Sequence, residues 1–158
     1  MGEGKTARFG TSWLWLAALV AYTGVGAVLL LWPNGWTLNR INVDVYVFLR
    51  GNGGPLWATP EDVAVALNCL IFIPAGAFLS LALPRLRWWH VAAAGFGLSL
   101  SVEVAQWALL PGRSPEVIDL VANTLGAALG AVIVAGVRGW SLRRSRSSSD
   151  RHQSRQHK

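Results

Sequence analysis

A carboxylate and an amide lie inside one hydrophobic segment, where polar side chains are rare. Glu103 and Gln106 fall within the run from Trp88 to Leu110. A charge at the centre of a bilayer helix costs about 2.5 to 3.5 kcal/mol, so such residues usually face a protein interior or a wet cavity and have a partner. Positions i and i+3 share a helical face, so the Gln106 amide can hydrogen-bond the Glu103 carboxyl. This pair indicates a polar site.

Further polar residues are predicted at a similar depth in the neighbouring hydrophobic segments. Asn68 lies about one and a half turns into the segment 62–83, and Asp119 and Asn123 are one turn apart near the start of the segment 117–137. Arg113, in the turn before them, can pair with an acid or hold an anion through two hydrogen bonds. The sequence thus predicts an outward-facing ligand-binding site formed by Asn68, Glu103, Gln106, Arg113, Asp119 and Asn123.

The residues leave two chemical uses of this site open. Glu103 or Asp119 is a candidate general base, with Arg113 stabilising anionic charge. Without catalysis, the same groups can recognise a polar ligand, and Asn or Gln side chains can simply join helices. Binding is the preferred interpretation, because no histidine, serine nucleophile motif or phosphate loop accompanies the acids.

Histidine and cysteine do not indicate a metal or a cofactor. His90 is predicted at the inner interface, and His152 and His157 belong to the C-terminal tail. Cys69 is the single cysteine, so the chain forms no internal disulfide and has no cysteine pair for zinc. We therefore expect neither a metal site nor a cofactor.

The composition predicts the elements that position these residues. Hydrophobic residues make up 53% of the 158 residues, charged residues make up 14%, and the mean hydropathy is +0.38. A soluble domain of this size would have difficulty covering such a chain with polar surface. A transmembrane helix needs about 20 apolar residues. Four segments meet that length, so we predict an all-α polytopic membrane protein with spans at 12–32, 62–83, 88–110 and 117–137.

Basic residues predict the orientation of these spans. If both termini are cytoplasmic, only three of the 14 lysines and arginines fall outside, namely Arg40, Arg50 and Arg113. Cytoplasmic segments of membrane proteins carry an excess of Lys and Arg. Both termini are therefore predicted to be cytoplasmic, and the polar site then faces outward.

Short connections predict that the last three spans are neighbours. The linkers 84–87 and 111–116 are so short that successive helices must be antiparallel and adjacent. The longer external segment between the first two spans contains 41–49, which reads as a short strand or an interfacial helix. Thr59 and Pro60 then predict a helix start. Gly126 and Gly130 permit close helix approach.

Three regions of the chain are expected. Residues 1–11 form a cytoplasmic N-terminal segment, and residues 12–140 form the four-helix membrane domain. Residues 141–158 are rich in Ser, Arg, Gln and His, which predicts a disordered cytoplasmic tail. Attraction to anionic lipid is the physical effect expected of its positive charge. Nothing else in the chain supports binding to nucleic acid.

Polar and small residues recur at fixed spacing across the last three segments. Examples are Glu103-Val-Ala-Gln106, Arg113-Ser-Pro-Glu116-Val-Ile-Asp119 and Asn123-Thr-Leu-Gly126, preceded by Asn68-Cys-Leu-Ile-Phe72-Ile-Pro74-Ala-Gly76. Over residues 60–135 this pattern resembles the signature of the VanZ-like family. One departure is Glu116, where the family more often has Asp, which keeps the charge but lengthens its reach.

The resemblance implies a multi-pass protein of the bacterial cytoplasmic membrane. The family's namesake is associated with low-level resistance to the glycopeptide antibiotic teicoplanin, which carries an acyl chain and acts at the outer face of the membrane on a lipid-linked cell-wall precursor. We therefore expect the polar site to bind the head group of a lipid, a lipid-linked envelope precursor or a lipoglycopeptide at the outer leaflet.

Two other functions stay open at this point. One is a membrane enzyme that hydrolyses or transfers a lipid head group at the outer leaflet. The other is a scaffold for envelope proteins, in which the polar residues clasp the bundle and the Gly126-x-x-x-Gly130 face or the tail carries the contacts. The same glycine face is compatible with a homo-oligomer.

Overall fold

The computed structural model describes residues 3–30, 35–109 and 116–156, and within them the backbone is helical apart from short connections. Five helices follow one another along these ranges. They are α1 (Glu3–Leu30), α2 (Gly35–Gly51), α3 (Pro60–Ala82), α4 (Trp88–Leu109) and α5 (Val117–Gln156). The all-helical prediction is confirmed, and the segment 41–49 lies within helix α2 and is not a strand.

Local sequence fixes the start of α3. The Thr59 hydroxyl accepts from the backbone N–H of Asp62, and the Asp62 carboxylate accepts from the backbone N–H of Thr59 at 2.9 Å. Together these bonds form a capping box, which satisfies two donors that the first helical turn would otherwise leave free. Pro60 follows at a first-turn position, where a missing N–H costs nothing. The predicted helix start is confirmed.

Among the described helices, α3 and α5 make the most extensive contact. A Cβ added to Gly126 would meet the Cys69 carbonyl oxygen, and one added to Gly130 would meet the Ile73 carbonyl oxygen. In the reverse direction, a Cβ on Gly76 of α3 would meet the Ala127 carbonyl oxygen. The two backbones therefore touch directly, and side chains larger than glycine would separate them.

Helix α4 packs against α5 and also contacts α3. The connection from α3 is a tight turn in which the Leu86 N–H donates to the Leu83 carbonyl at 3.0 Å. Val91 of α4 is 1% exposed and lies in one cluster with Phe72 of α3 and with Ala127 and Ala131 of α5. The compact bundle predicted from the short linkers is therefore present.

Helix α1 packs mainly on α3 and touches α4 at few points. Two aromatic side chains of α1 contact Phe78 of α3. Trp15 stacks on Phe78 with ring centroids 5.9 Å apart, and Tyr22 meets Phe78 edge-on with centroids 5.8 Å apart. The Tyr22 hydroxyl also donates to the Ile71 carbonyl at 2.8 Å. These contacts hold α1 against α3. Helix α2 also contacts α3.

Three helical segments are long and apolar enough to cross a membrane: Pro60–Ala82, Trp88–Leu109 and Val117–Ser141. A shorter apolar stretch, Ser12–Val28, lies in α1. Many large apolar side chains on these helices are exposed, including Leu14 at 72% and Trp107 at 66%. Apolar surface on this scale indicates a lipid environment. The last three of the four predicted spans are thus supported. The first predicted span, 12–32, stays a prediction, as does the orientation of the chain in the membrane.

The C-terminal region differs from the predicted disordered tail. The backbone of α5 continues as a helix through Gln156, well beyond the apolar part that ends at Ser141. Once a helix is nucleated, each further residue adds a hydrogen bond at little cost, and Arg and Gln are good helix formers. Composition alone therefore underestimated how far the apolar helix propagates into polar sequence.

Candidate functional site

The most buried polar contact in the bundle joins α4 to α5. The Asn123 amide nitrogen donates to the Ser99 hydroxyl oxygen at 2.8 Å, and the two side chains are 9% and 1% exposed. The other half of the amide is unsatisfied: the Asn123 Oδ1 atom is buried and finds no hydrogen-bond donor in the described part of the chain. A buried acceptor without a donor is costly, so a water or a ligand would be bound there favourably.

Glu103 lies at the end of the bundle where α5 begins. Its carboxylate accepts from the backbone N–H of Glu116 at 3.2 Å. Glu116 directly precedes α5, and a negative charge at a helix N-terminus is stabilised by the helix dipole and by the free N–H groups there. Glu103 makes at least one further interaction as well. Part of its role is therefore structural, because it ties the end of α4 to the start of α5.

Gln106 is 8% exposed and is also engaged in an interaction, so its side chain points into the bundle as predicted from its spacing to Glu103. A hydrogen bond between Glu103 and Gln106 stays a prediction. Asp119 and Asn68 are both half-buried. Asn68 immediately precedes Cys69, whose carbonyl lies against Gly126, so Asn68 sits near the level of Asn123.

The contacts between α4 and α5 give the register of the antiparallel pair. Gly95 lies against Ala127, and Ser99, four residues later on α4, bonds Asn123, four residues earlier on α5. One more step of four residues places Glu103 level with Asp119, which agrees with the contact from Glu103 to the start of α5. The two levels are one helical turn apart, about 5.4 Å.

The described residues of the predicted site therefore occupy successive levels of the bundle. We call the group formed by these residues and Ser99 the polar layer. Its inner level holds Asn68, Ser99 and Asn123. Its outer level, nearer the start of α5, holds Glu103 and Asp119, and Gln106 follows almost one turn further along α4. Arg113 lies outside the described residues, so its predicted pairing with an acid or an anion stays a prediction.

Sequence reasoning did not identify Ser99 as a member of the layer. A signal for it was present, because Ser99 is four residues before Glu103 and seven before Gln106 and so shares their helical face. Ser101, two residues later, behaves differently: its hydroxyl donates to the Gly97 carbonyl of its own helix at 2.7 Å. The position on the face, and not the residue type, separates the two serines.

The arrangement supplies several kinds of hydrogen-bonding group among largely apolar helices. The inner level offers an unsatisfied amide oxygen, and the outer level carries two carboxylates. Such a set can recognise a polar group with donors of its own. In the described ranges no group of three or more His, Cys, Asp and Glu residues is placed to hold a metal ion.

Comparison with known proteins gives one match. Residues 13–138, most of the chain, match the sequence model of the family described as VanZ/LLP1. The matched range includes every residue of the polar layer. Neither a curated protein nor a solved structure matches the chain significantly.

Proposed function

Because this chain belongs to the VanZ/LLP1 family, we propose that it is an integral membrane protein whose polar layer binds the head group of a lipid or a lipid-linked envelope precursor. Four spans with both termini in the cytoplasm would place the layer near the outer leaflet of a bacterial cytoplasmic membrane. The exposed apolar surface of the helices and the position of the basic residues support this arrangement.

One observation carries the proposal: the amide oxygen of Asn123 is buried among apolar helices with no donor from the described residues. Its own amide nitrogen donates to Ser99 at 2.8 Å, and turning the amide so that the Ser99 hydroxyl donates to the oxygen would give up that bond. Structural amides in membrane helices hydrogen-bond across helices, and the large majority of buried polar atoms have a partner. An amide whose oxygen has no donor, close to two carboxylates, is better suited to binding a polar ligand than to joining helices.

Binding of a lipoglycopeptide such as teicoplanin is a specific form of the same proposal. Such a molecule combines an acyl chain with polar groups that donate hydrogen bonds. The proposal then includes a contribution to glycopeptide resistance, through capture of the drug or of its lipid-linked target at the outer leaflet. Attraction of anionic lipid to the basic C-terminal segment is a separate proposal, supported by that segment's positive charge.

The test compares lipids that copurify with the full chain and with matched variants. Native mass spectrometry should find an amphiphile on the unmodified protein that is reduced or lost in Asn123→Leu. Thr124→Val is the control, because Thr124 neighbours Asn123 but its hydroxyl bonds only the Leu120 carbonyl of its own helix at 2.7 Å. Glu103→Gln keeps an oxygen that can accept from Glu116 and removes the charge, so it tests whether the ligand needs the carboxylate.

Equal ligand content in Asn123→Leu, Glu103→Gln and Thr124→Val, with all three folded, would leave the polar layer with a structural role only. A growth assay with teicoplanin tests the resistance part, since the Asn123 and Glu103 variants should lose any protection that the unmodified chain gives. Release of a head group from labelled phospholipid or undecaprenyl-linked substrate by the purified protein would overturn the binding account in favour of catalysis.

A further inference from the structure

An apolar cleft lies directly beneath the polar layer. It has a volume of 260 Å³ and is bounded by α1, α3 and α4, with Ala127 of α5 among its lining residues. Small residues create the space: Gly76 comes from α3, and Ala94 and Gly95 come from α4. Gly95 cannot carry a side chain, because a Cβ there would lie 2.5 Å from the Ala127 Cβ atom.

The cleft presents almost entirely hydrocarbon. Its one lining side chain with a hydroxyl is Thr23 of α1, and that hydroxyl donates to the Leu19 carbonyl of its own helix at 2.8 Å. Helix α1 is held on the α3 side by Tyr22 and touches α4 at few points, so the cleft is bordered by the gap between α1 and α4. That gap faces the surroundings of the bundle, which for these apolar helices are lipid chains.

The volume suits part of an acyl chain. An apolar cavity of about 150 Å³ already admits a benzene-sized guest, so the larger cleft accommodates several methylene groups. An unfilled cleft would forfeit the dispersion contacts of its lining atoms. A hydrocarbon chain entering from the bilayer restores those contacts.

The cleft and the polar layer are continuous along two helix faces. Gly95 and Ser99 are one turn apart on α4, and Ala127 and Asn123 are one turn apart on α5. A Cβ on Gly95 would lie only 3.8 Å from the Asn123 backbone oxygen. The Asn123 side chain does not line the cleft, and its buried Oδ1 atom lies on the residue one helical turn, about 5.4 Å, from the lining residue Ala127. The polar end of a chain in the cleft would reach that atom by extending past Gly95 between α4 and α5.

We propose that the cleft holds a single acyl chain of an amphiphile that carries a hydrogen-bond donor, a hydroxyl or an amide N–H, at the junction of chain and head group. The donor would bond Asn123 Oδ1 while the chain fills the space between α1 and α4. The inference rests on the proposed function, since it uses the same amide, and it adds the class of ligand. A diacyl phospholipid has only ester oxygens at that junction and would leave the amide oxygen unsatisfied.

Two matched probes distinguish binding of the acyl chain from hydrogen bonding by the donor. Both are lysophosphatidylcholines with a photoactivatable diazirine in the middle of the acyl chain; one has the free hydroxyl on the central glycerol carbon, and the other has that hydroxyl methylated. Each is added to the full chain in vesicles of phosphatidylethanolamine and phosphatidylglycerol. After irradiation, the labelled residues are mapped by mass spectrometry.

The hydroxyl probe should label cleft residues of α1 and α4 about fivefold more than the methylated probe does, the ratio that one net hydrogen bond gives. Asn123→Leu should reduce that ratio to one. Ala94→Phe fills the cleft and should abolish the cleft labelling, whereas Ala93→Phe, a neighbour outside the lining, should not. From the α1 side, Val20→Phe and Val25→Phe form a second pair with exposures of 63% and 62%, of which only Val20 lines the cleft.

Each outcome decides one part. The chain site is overturned if labelling spreads evenly over the exposed faces and is the same in Ala94→Phe and Ala93→Phe. If an amphiphile that depends on Asn123 still copurifies in that case, the proposed function stands. Cleft labelling that is equal for the two probes and unaffected by Asn123→Leu overturns the donor. The proposed function fails in addition only if Asn123→Leu also retains the copurifying amphiphile. If Ala94→Phe fails to fold, the Val20 and Val25 pair tests the chain site in its place, with the same two outcomes.

Discussion

Replacing Gly130 by alanine should force α3 and α5 apart. The added Cβ would meet the Ile73 carbonyl oxygen and would lie 2.7 Å from the Ala77 backbone nitrogen and 3.1 Å from the Ile73 carbonyl carbon. All three atoms belong to the backbone of α3, so no side-chain rotation relieves the contact. Insertion of an extra carbon into a packed site of this kind costs typically about 1 to 3 kcal/mol.

Gly136 provides the matched control on the same helix. A Cβ added there has no atom within 4 Å, so Gly136→Ala changes only the intrinsic helix preference. That preference favours alanine by about 0.8 to 1.0 kcal/mol and acts equally in both variants. The difference between the two variants therefore isolates the steric term. At 1.4 kcal/mol for each factor of ten, it corresponds to roughly a 5- to 150-fold change in the folding equilibrium.

The measurement is reversible unfolding of each variant in mixed micelles, with the denaturing detergent titrated and the helix content followed by circular dichroism. Gly130→Ala should unfold at a lower detergent fraction than the unmodified chain, and Gly136→Ala at an equal or higher one. If the two variants unfold at the same midpoint, the backbone contact between α3 and α5 does not exist as described, and the placement of Asn68 near the level of Asn123, which was derived from the same helix pair, fails as well.

Three smaller perturbations test individual contacts by the same unfolding assay. A double-mutant cycle of Ser99→Ala and Asn123→Leu should give a coupling of about 0.6 to 1.7 kcal/mol, the range for hydrogen bonds between membrane helices, and strict additivity would mean that the 2.8 Å bond contributes nothing. Thr59→Ala removes the capping box of α3 and should cost about 1 kcal/mol; no change would show that the cap is dispensable. Arg138→Met removes the hydrogen bond from the guanidinium to the Ser80 carbonyl at 3.1 Å and should destabilise the folded protein by about 0.5 to 1.5 kcal/mol. Arg144→Met is the control, because it loses a contact over the Trp140 ring and should leave the stability unchanged.

The start of α3 and the adjacency of α3, α4 and α5 were predictable because they depend on neighbours in sequence. A capping box spans four residues, and two helices joined by a linker of a few residues must pack side by side. The role of Gly126 and Gly130 was also predictable, since small residues four apart on an apolar helix usually mark a close approach. The helix that approaches them, α3 and not α4, was not predictable from spacing.

The partner of Asn123 depends on tertiary register, which local sequence does not determine. A shift of α4 by one turn along α5 would bring Gly95 or Glu103 opposite Asn123 instead of Ser99, and all three residues lie on the same face. What selects the observed register is the fit of Gly95 against Ala127, where no larger side chain could be accommodated. The glycine therefore determines which polar group the amide meets one turn away.

Hydrophobic periodicity could not identify the buried face of α4, because lipid and protein interior are both apolar. Val91 is 1% exposed and Leu98 is 39% exposed, yet both are ordinary apolar residues that a soluble helix would turn toward its core. The inward face is instead marked by small and polar residues: Gly95, Ser99 and Gln106 are all buried. Since a polar side chain in a membrane helix must find a partner, its position is more informative than that of any leucine. For this chain the same argument links fold and function, because the residues that reveal how α4 faces α5 are those that form the polar layer.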